Sequence, residues 1–269
     1  MKAFVIDVGI CNGCYCCQIS CKDEHVGNDW TPYAKPQPDT GQFWLKQHEF
    51  IRGTVPKVKM YYRPVLCMHC DEAPCMPSCS IEGAIYKRDD GLVIIDPEKC
   101  TGCKNCVDAC PYGVIYFNED LNIAQKCTGC AHLIDKGWKE PRCVDACPTG
   151  ALKFGEESEF KDLIKKAEVL HLEYKAKPRV YYLNIPRKFV AGTVYDPVEK
   201  EVIIGASCTL SSNGKKLTAA TDGFGDFWFE GLDVGNYFLK IEAKGFAART
   251  IDSISTENDV NLGDIALSR

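Results

Sequence analysis

The segment 100–111 reads CTGCKNCVDACP, and its four cysteines follow the spacing C-x2-C-x2-C-x3-C with a proline directly after the fourth. A tight loop with x2 spacing turns three sulfur atoms toward one point. A short helix after the third cysteine then directs the fourth thiol away from that point. The segment therefore predicts three ligands for one iron–sulfur cluster and a fourth ligand for a second cluster.

Working outward from this segment, the other cysteines form three more groups of four, so that only Cys16 and Cys208 are left over. All cysteines except Cys208 lie in the first 147 residues. The groups are Cys11, Cys14, Cys17 and Cys21; Cys67, Cys70, Cys75 and Cys79; Cys100, Cys103, Cys106 and Cys110; and Cys127, Cys130, Cys143 and Cys147. They predict up to four [4Fe–4S] clusters.

The third and fourth groups are copies of one unit. The sequence CVDACP occurs at 106–111 and at 143–148, and KCTGC occurs at 99–103 and at 126–130. The fourth group carries an insertion between its second and third cysteines. Such a repeat is expected of cluster loops that are related by a pseudo-twofold axis.

Structural zinc and disulfide bonds are the alternatives for so many cysteines. Zinc sites normally use two separated C-x2-C pairs rather than triplets at x2-x2 spacing. Residues 1–10 lack the zones of a signal peptide, so we expect a cytoplasmic protein, where disulfides are rare. Iron–sulfur ligation is the favoured interpretation, and a zinc-stabilised binding protein is the competing one.

The composition excludes several other classes of protein. The net charge is −5 without a basic block, so nucleic acid is not expected as a partner. No apolar run reaches the roughly 18 residues of a membrane span. The hydrophobic content of 45% suffices for a core in each half of the chain.

Between and after the cysteine groups, the sequence predicts a few ordered elements. Residues 84–95 read as a β-hairpin with a turn at 89–91. Residues 158–175 have apolar side chains at helical spacing and predict a helix, and residues 180–183 predict a strand. Residues 22–66 form a long insertion rich in proline and aromatic residues, which is either a partner interface or a satellite core covering a cluster.

The first 187 residues resemble the four-cluster iron–sulfur subunits of the dimethyl-sulfoxide-reductase family of molybdenum or tungsten enzymes. The resemblance implies a ferredoxin-like domain with crossed ligation, in which each group gives its fourth cysteine to another group's cluster. The implied ligand sets are Cys11, Cys14, Cys17 and Cys147; Cys127, Cys130, Cys143 and Cys21; Cys67, Cys70, Cys75 and Cys110; and Cys100, Cys103, Cys106 and Cys79. Cys21 and Cys79 depart from the ferredoxin pattern because no proline follows them.

Residues 188–269 predict a second, all-β domain. Seven candidate strands, one of them over 202–210, are punctuated by glycine-containing turns, which is typical of an antiparallel sandwich or barrel. Residues 221–225 and 227–229 read TDGFG and FWF, and with the surrounding glycines they resemble carboxypeptidase-regulatory, transthyretin-like domains. The predicted fold class is α+β, with a poly-[4Fe–4S] domain at 1–187 and this β-domain after it.

The combination of the two domains is similar to the small subunits of the pyrogallol–phloroglucinol transhydroxylase family. This resemblance implies an electron-transfer subunit, without an active site of its own, in a heterodimer with a large catalytic subunit. The molybdenum or tungsten bis-pterin cofactor would belong to that partner. The alternative in the same class is an electron-transfer subunit of a respiratory molybdopterin reductase or dehydrogenase.

A few residues near the cysteine groups have open roles. We expect Cys16 to be a packed thiol without a metal, and Cys208 to belong to the β-domain core. His69 lies within the second group and is interpreted as a neighbour of the cluster or a surface residue. Lys99, Lys104 and Lys126 flank the loops and either tune the cluster potentials or are solvated.

Overall fold

The computed structural model describes residues 1–269, which form two compact units. One unit comprises residues 1–50 and 61–185, and the other comprises residues 51–60 and 186–269. Each unit has its own apolar core. No helix combines the length and the apolar character needed to cross a membrane.

The first unit contains one three-stranded sheet and several two-stranded ribbons. In the sheet, β1 lies between β8, which is antiparallel to it, and β9, which is parallel to it. The predicted hairpin at 84–95 is confirmed as β4 and β5, which pair in antiparallel register. The strands are β1 (Lys2–Asp7), β2 (Leu45–Thr54), β3 (Lys57–Leu66), β4 (Ile85–Lys87), β5 (Val93–Ile95), β6 (Tyr116–Asn118), β7 (Ile123–Gln125), β8 (Leu152–Glu156) and β9 (Val180–Leu183). Residues 51–60, at the tip of the β2–β3 hairpin, belong to the second unit.

The helices of the first unit are short, and four of them begin in the cysteine segments. In α1, α2, α3 and α5 the third cysteine of each group lies on the helix, and the fourth lies on it or just beyond its end. This agrees with the short helix that the x3 spacing predicts. The helices are α1 (Cys16–His25), α2 (Cys75–Ser78), α3 (Asn105–Ala109), α4 (Ala131–Ile134), α5 (Arg142–Asp145) and α6 (Lys161–Ile164).

The prediction of a long helix over residues 158–175 is wrong. Only α6 and two 3-10 turns form there, and α6 contains no buried residue. Glu168 pairs with Tyr182 in a β-bridge, and His171 has a left-handed φ of 54°. An apolar face stabilises a helix only when it packs against a core, and this segment instead joins the edge of the sheet.

The second unit is a sandwich of two four-stranded sheets. One sheet contains β10, β11, β14 and β17, and the other contains β12, β13, β15 and β16. The strands are β10 (Lys188–Asp196), β11 (Glu201–Val202), β12 (Ser207–Ser212), β13 (Lys215–Ala220), β14 (Asp226–Leu232), β15 (Asn236–Glu242), β16 (Arg249–Ser255) and β17 (Val260–Ala266).

Alternating side chains form the core between these sheets. Cys208 and Leu210 on β12 lie opposite Ile241 and Leu239 on β15, and all four are at most 1% exposed. Two details differ from the predicted antiparallel array. The strand predicted over 202–210 is broken in two near Gly205, and β17 runs parallel to β10.

Candidate iron–sulfur centres

The cysteine loops share one backbone feature, a left-handed residue directly before the second cysteine. Three loops place a glycine there, namely Gly13, Gly102 and Gly129, with φ between 64° and 74°. The fourth loop places His69 there with φ 44°. An added Cβ at Gly13 would lie 2.5 Å from the ring of Tyr62, so this position requires glycine for space as well as for its dihedral angles.

We group sixteen of the thiols into the four crossed sets that the family resemblance implies, each of which mixes cysteines from two sequence groups. We number them quartet 1 (Cys11, Cys14, Cys17, Cys147), quartet 2 (Cys21, Cys127, Cys130, Cys143), quartet 3 (Cys67, Cys70, Cys75, Cys110) and quartet 4 (Cys79, Cys100, Cys103, Cys106). In each quartet, one thiol shows the same two causes of a raised pKa. Burial is the larger cause, and repulsion from the other thiols of its own quartet comes next. These thiols are Cys17, Cys143, Cys70 and Cys106.

Two of the quartets surround distinct cavities. The four thiols of quartet 3 line a cavity together with Met68, Val93 and Ile115. The four thiols of quartet 4 line a second cavity. No three histidine, cysteine or acidic side chains approach as they would around a single metal ion, so the thiols face a space rather than a point.

The donor set fits iron–sulfur clusters. All 18 cysteines are free thiols. Burial raises the pKa of Cys127 and Cys130 to about 12, so the protein alone does not favour the thiolates that ligate iron. Backbone N–H groups already point at sulfur, with Gly129 N 3.3 Å from Cys127 Sγ and Ala124 N 3.4 Å from Cys100 Sγ. Bound iron would supply the positive charge that such thiolates require.

Electrostatic influences between thiols connect the quartets in the order 1, 2, 3 and 4, and we call this order the row. The pKa of Cys143 in quartet 2 is raised most by burial, next by the other thiols of quartet 2, and then by Cys17 of quartet 1. Cys67 of quartet 3 acts in the same way, after burial, on Cys127 of quartet 2. Cys106 of quartet 4 has a smaller effect on Cys75 of quartet 3.

The ends of this row reach the surface and the middle does not. Cys14 in quartet 1 and Cys103 in quartet 4 are exposed, whereas every thiol of quartet 2 is buried. In quartet 3, three thiols are buried and only Cys110 is partly exposed. The row therefore has two accessible ends and a protected centre.

The insertion at 22–66 covers quartets 1 and 2 with part of the main core. Trp44 and Leu45 are at most 1% exposed. Gln47 reaches the sulfur atoms of quartet 1, with Oε1 3.9 Å from Cys17 Sγ and Nε2 3.9 Å from Cys11 Sγ. This part of the insertion therefore agrees with the interpretation that residues 22–66 form a satellite core covering a cluster.

A histidine pair beside quartet 2 was missed by the sequence reasoning, which treated the histidines as scattered. His25 Nε2 lies 3.9 Å from Cys130 Sγ, and its ring lies 5.4 Å from that of His132. His132 stacks on Trp30 and contacts Glu24 at 3.0 Å. These residues are distant in sequence, so only the packing of α1 against the fourth cysteine segment could reveal them.

The residues with open roles now have definite environments. Cys208 is fully buried as predicted, but Cys16 is exposed, so the expectation that it is packed is wrong. His69 is buried, and its Nδ1 accepts a hydrogen bond from Val93 N at 3.0 Å, which leaves the proton of the neutral ring on Nε2. Lys99 and Lys104 are half-exposed and paired with carboxylates.

Comparisons with known proteins match both domains. Residues 58–157 match a 4Fe-4S dicluster domain, and residues 190–268 match a carboxypeptidase regulatory-like domain. The chain is 40% identical over 275 residues to the pyrogallol hydroxytransferase small subunit of Pelobacter acidigallici, with 98% of each chain covered. The chain belongs to this family of small subunits. The predicted fold class is thereby confirmed, as is the prediction of an iron–sulfur electron-transfer subunit with [4Fe–4S] clusters.

Iron–sulfur and other subunits of further enzymes align with only part of this chain. A sulfite dehydrogenase subunit of Allochromatium vinosum is 39% identical over 129 residues, which are 46% of this chain and 53% of that one. The arsenate respiratory reductase iron–sulfur subunit ArrB of Shewanella sp. is 43% identical over 114 residues, covering 42% of this chain and 44% of that one.

Proposed function

We propose that the chain is the electron-transfer subunit of a molybdenum or tungsten bis-pterin transhydroxylase that moves a hydroxyl group between trihydroxybenzenes such as pyrogallol. The observation that carries this proposal is the 40% identity to a pyrogallol hydroxytransferase small subunit along nearly the whole of both chains. That likeness covers both domains, because it spans 98% of each chain, whereas the alignments with the reductase and dehydrogenase subunits cover less than half of this chain.

Each quartet is the proposed ligand set of one [4Fe–4S] cluster. The crossed pattern is supported by the two cavities, each of which is lined by one whole quartet drawn from two sequence groups. Each cluster supplies one-electron redox chemistry when it is bound. This chain's own residues hold it with four thiolates, surround it with apolar side chains and direct backbone N–H groups at the sulfur atoms.

The row of quartets suits electron transfer through the subunit. The buried quartets 2 and 3 exclude solvent, and the exposed quartets 1 and 4 give access at opposite ends of the row. Burial, charge and hydrogen bonds to sulfur set the potential of each cluster. We assign no catalytic residue to this chain, because the proposed clusters leave no open position and hydroxyl transfer belongs to the partner's cofactor.

The proposed partner is a large catalytic subunit that docks over quartet 1 in a cytoplasmic heterodimer. The exposed apolar side chains of Ile10, Tyr15 and Ile19 lie within five residues of the exposed Cys14 in sequence. Stable interfaces are apolar at their centres, and an exposed cluster edge inside such a patch suits electron exchange. The proposed domain boundary is 187/188, with residues 1–187 forming the cluster domain.

Turnover of the anaerobically purified complex tests this function. Hydroxyl transfer between trihydroxybenzenes has no net redox change, so product should form without a stoichiometric electron donor. A reductase of the respiratory type would instead consume about one donor equivalent for each electron delivered to its substrate. Dependence of the yield on the amount of added donor would contradict the transhydroxylase proposal and favour the reductase alternative.

A further inference from the structure

Lys126 is a buried cation without a carboxylate partner. Its side chain belongs to the largest fully buried ones in the chain, with 2% of its surface exposed. Its Nζ donates to the carbonyl oxygen of Val93 and, at 3.1 Å, to that of Cys127. The ion pairs of the structure include none made by Lys126. An ammonium group in this position needs negative charge from another source.

Quartets 2 and 3 both have members close to this ammonium group. Lys126 directly precedes Cys127 of quartet 2 in sequence, and Val93, whose carbonyl it binds, lines the cavity of quartet 3. Burial raises the pKa of Cys75 in quartet 3 to about 12, and the charge of Lys126 is the largest influence in the opposite direction. Lys126 also lowers the pKa of Cys127, although burial dominates there.

We propose that Lys126 is a fixed positive charge that raises the reduction potentials of the clusters held by quartets 2 and 3. Reduction adds one electron to a cluster without a change of ligands, so the reduced state carries one more negative charge. Burial in a medium of low dielectric constant opposes that added charge, and a nearby ammonium group stabilises it. Lys126 thus keeps the buried centre of the row reducible from its exposed ends.

The internal repeat supplies a natural contrast. Lys99 occupies the same place before Cys100 that Lys126 occupies before Cys127. However, the Lys99 side chain is 54% exposed and lies 3.7 Å from the carboxylate of Asp96. Water and this carboxylate screen its charge. The same motif position therefore holds a screened cation at one end of the row and an unscreened one at the centre.

The test is a redox titration of the intact complex, followed by electron paramagnetic resonance, with dithionite as the reductant and no aromatic substrate present. The variants are Lys126→Gln, Lys126→Arg and the matched control Lys99→Gln. At a fixed solution potential, we expect Lys126→Gln to lower the ratio of reduced to oxidised cluster at least tenfold for one or both central clusters. That change corresponds to a shift of about 59 mV for a one-electron couple. Lys126→Arg and Lys99→Gln should stay within threefold of the wild type.

This inference rests on the proposed assignment of quartets to clusters, and iron analysis separates the two. If the wild type holds fewer than four clusters, the assignment fails whatever the potentials are. If all variants keep full iron and Lys126→Gln titrates like the wild type, the charge proposal fails alone. Loss of iron in Lys126→Gln but not in Lys126→Arg supports a role for the charge. Loss in both overturns the proposal, because side-chain fit would then be what matters.

Discussion

Cys17 and Cys21 lie one helical turn apart on α1, yet their thiols belong to different quartets. After burial, the largest influences that raise the pKa of Cys17 come from Cys11 and Cys147, whereas those that raise the pKa of Cys21 come from Cys127 and Cys130. The helix therefore connects quartet 1 to quartet 2. The same x3 relationship connects quartet 1 to quartet 2 in the fourth cysteine segment and quartet 3 to quartet 4 in the second and third segments, whereas quartets 2 and 3 approach through Cys127 and Cys67.

Pairs of cysteine substitutions test the crossed quartets by counting iron. Cys21→Ala should remove one cluster, or about four iron atoms. Adding Cys130→Ala should remove no further iron, because both thiols belong to quartet 2. Adding Cys11→Ala should instead remove about four more, because Cys11 belongs to quartet 1. Iron and labile sulfide analysis of the anaerobically purified variants measures this.

If each sequence group instead held its own cluster, Cys11 and Cys21 would share a cluster and Cys130 would belong to another. Adding Cys11→Ala would then remove no further iron, and adding Cys130→Ala would remove about four more atoms. That opposite pattern would contradict the crossed assignment. Cys16→Ser is the matched control, because Cys16 is exposed and lies outside every quartet. It should keep the full iron content.

Docking of the large subunit over quartet 1 predicts sensitivity to charge in that patch. Ile19 is 58% exposed beside the cluster edge, so Ile19→Glu should bury an unpaired carboxylate in the interface and reduce partner recovery at least tenfold. The measurement is the yield of large subunit captured on a tagged small subunit, with iron content unchanged.

Leu121→Glu provides the control for that experiment at the other end of the row. Leu121 is also exposed, and its neighbour Asn122 contacts Gly102 in the loop of quartet 4. This variant should retain the partner. If Leu121→Glu releases the large subunit and Ile19→Glu does not, the docking end has been assigned wrongly.

The tip of the β2–β3 hairpin is fixed within the β-domain unit by a buried ion pair. Arg52 Nε donates to Asp259 Oδ2 at 2.8 Å, and both side chains are at most 13% exposed. Asp259→Asn should destabilise this unit by about 3–5 kcal/mol, because it removes the negative charge that compensates a buried arginine. Amide hydrogen exchange along β10 and β17 in the full chain reports the loss.

The nearby pair of Lys59 and Glu230 is the comparison, since both side chains are exposed. Glu230→Gln should cost at most about 1 kcal/mol. Equal acceleration of exchange in Glu230→Gln and Asp259→Asn would show that the buried pair has no special weight.

A second hairpin contact predicts a pH dependence. Burial raises the pKa of Asp226, but hydrogen bonds from Lys57 and Thr193 outweigh it and hold that pKa below its usual value. The folded unit therefore binds fewer protons than the unfolded chain in mild acid. Its stabilisation is fully present above the ordinary carboxylate range near pH 4 and is lost as the pH falls through the lowered pKa.

Hydrogen exchange of β10 and β14, corrected for the intrinsic rate at each pH, measures this effect. Protection should fall more steeply below pH 4 in the wild type than in Asp226→Asn, which lacks the titrating group. Parallel curves for the two proteins would contradict a stabilising role of the Asp226 carboxylate.

Much of the architecture could be predicted because it depends on local spacing. The x2 and x3 intervals specify the loops and the short helices, and alternation specifies most strands of the β-domain. The helix predicted at 158–175 failed because periodicity describes which face is apolar but not whether a core is present to receive it. Phe160 and Leu163 are only partly buried.

The environment of each polar side chain near the quartets could not be predicted. Lys99 and Lys126 have the same sequence context, and only the tertiary packing places one in water and the other in the core. Gln47 and His25 are further examples. Gln47 lies near the sulfur atom of Cys11 and His25 near that of Cys130, and each cysteine is distant in sequence. Long-range contacts of this kind leave no periodic signal.

The most direct test of the account is the metal content of the complex captured anaerobically through a tag on this chain. Four clusters predict about 16 iron atoms per chain, together with about one molybdenum or tungsten atom from the large subunit. That result is the one we expect. About four zinc atoms per chain and no iron would contradict the central claim and would identify the chain as a zinc-stabilised binding protein.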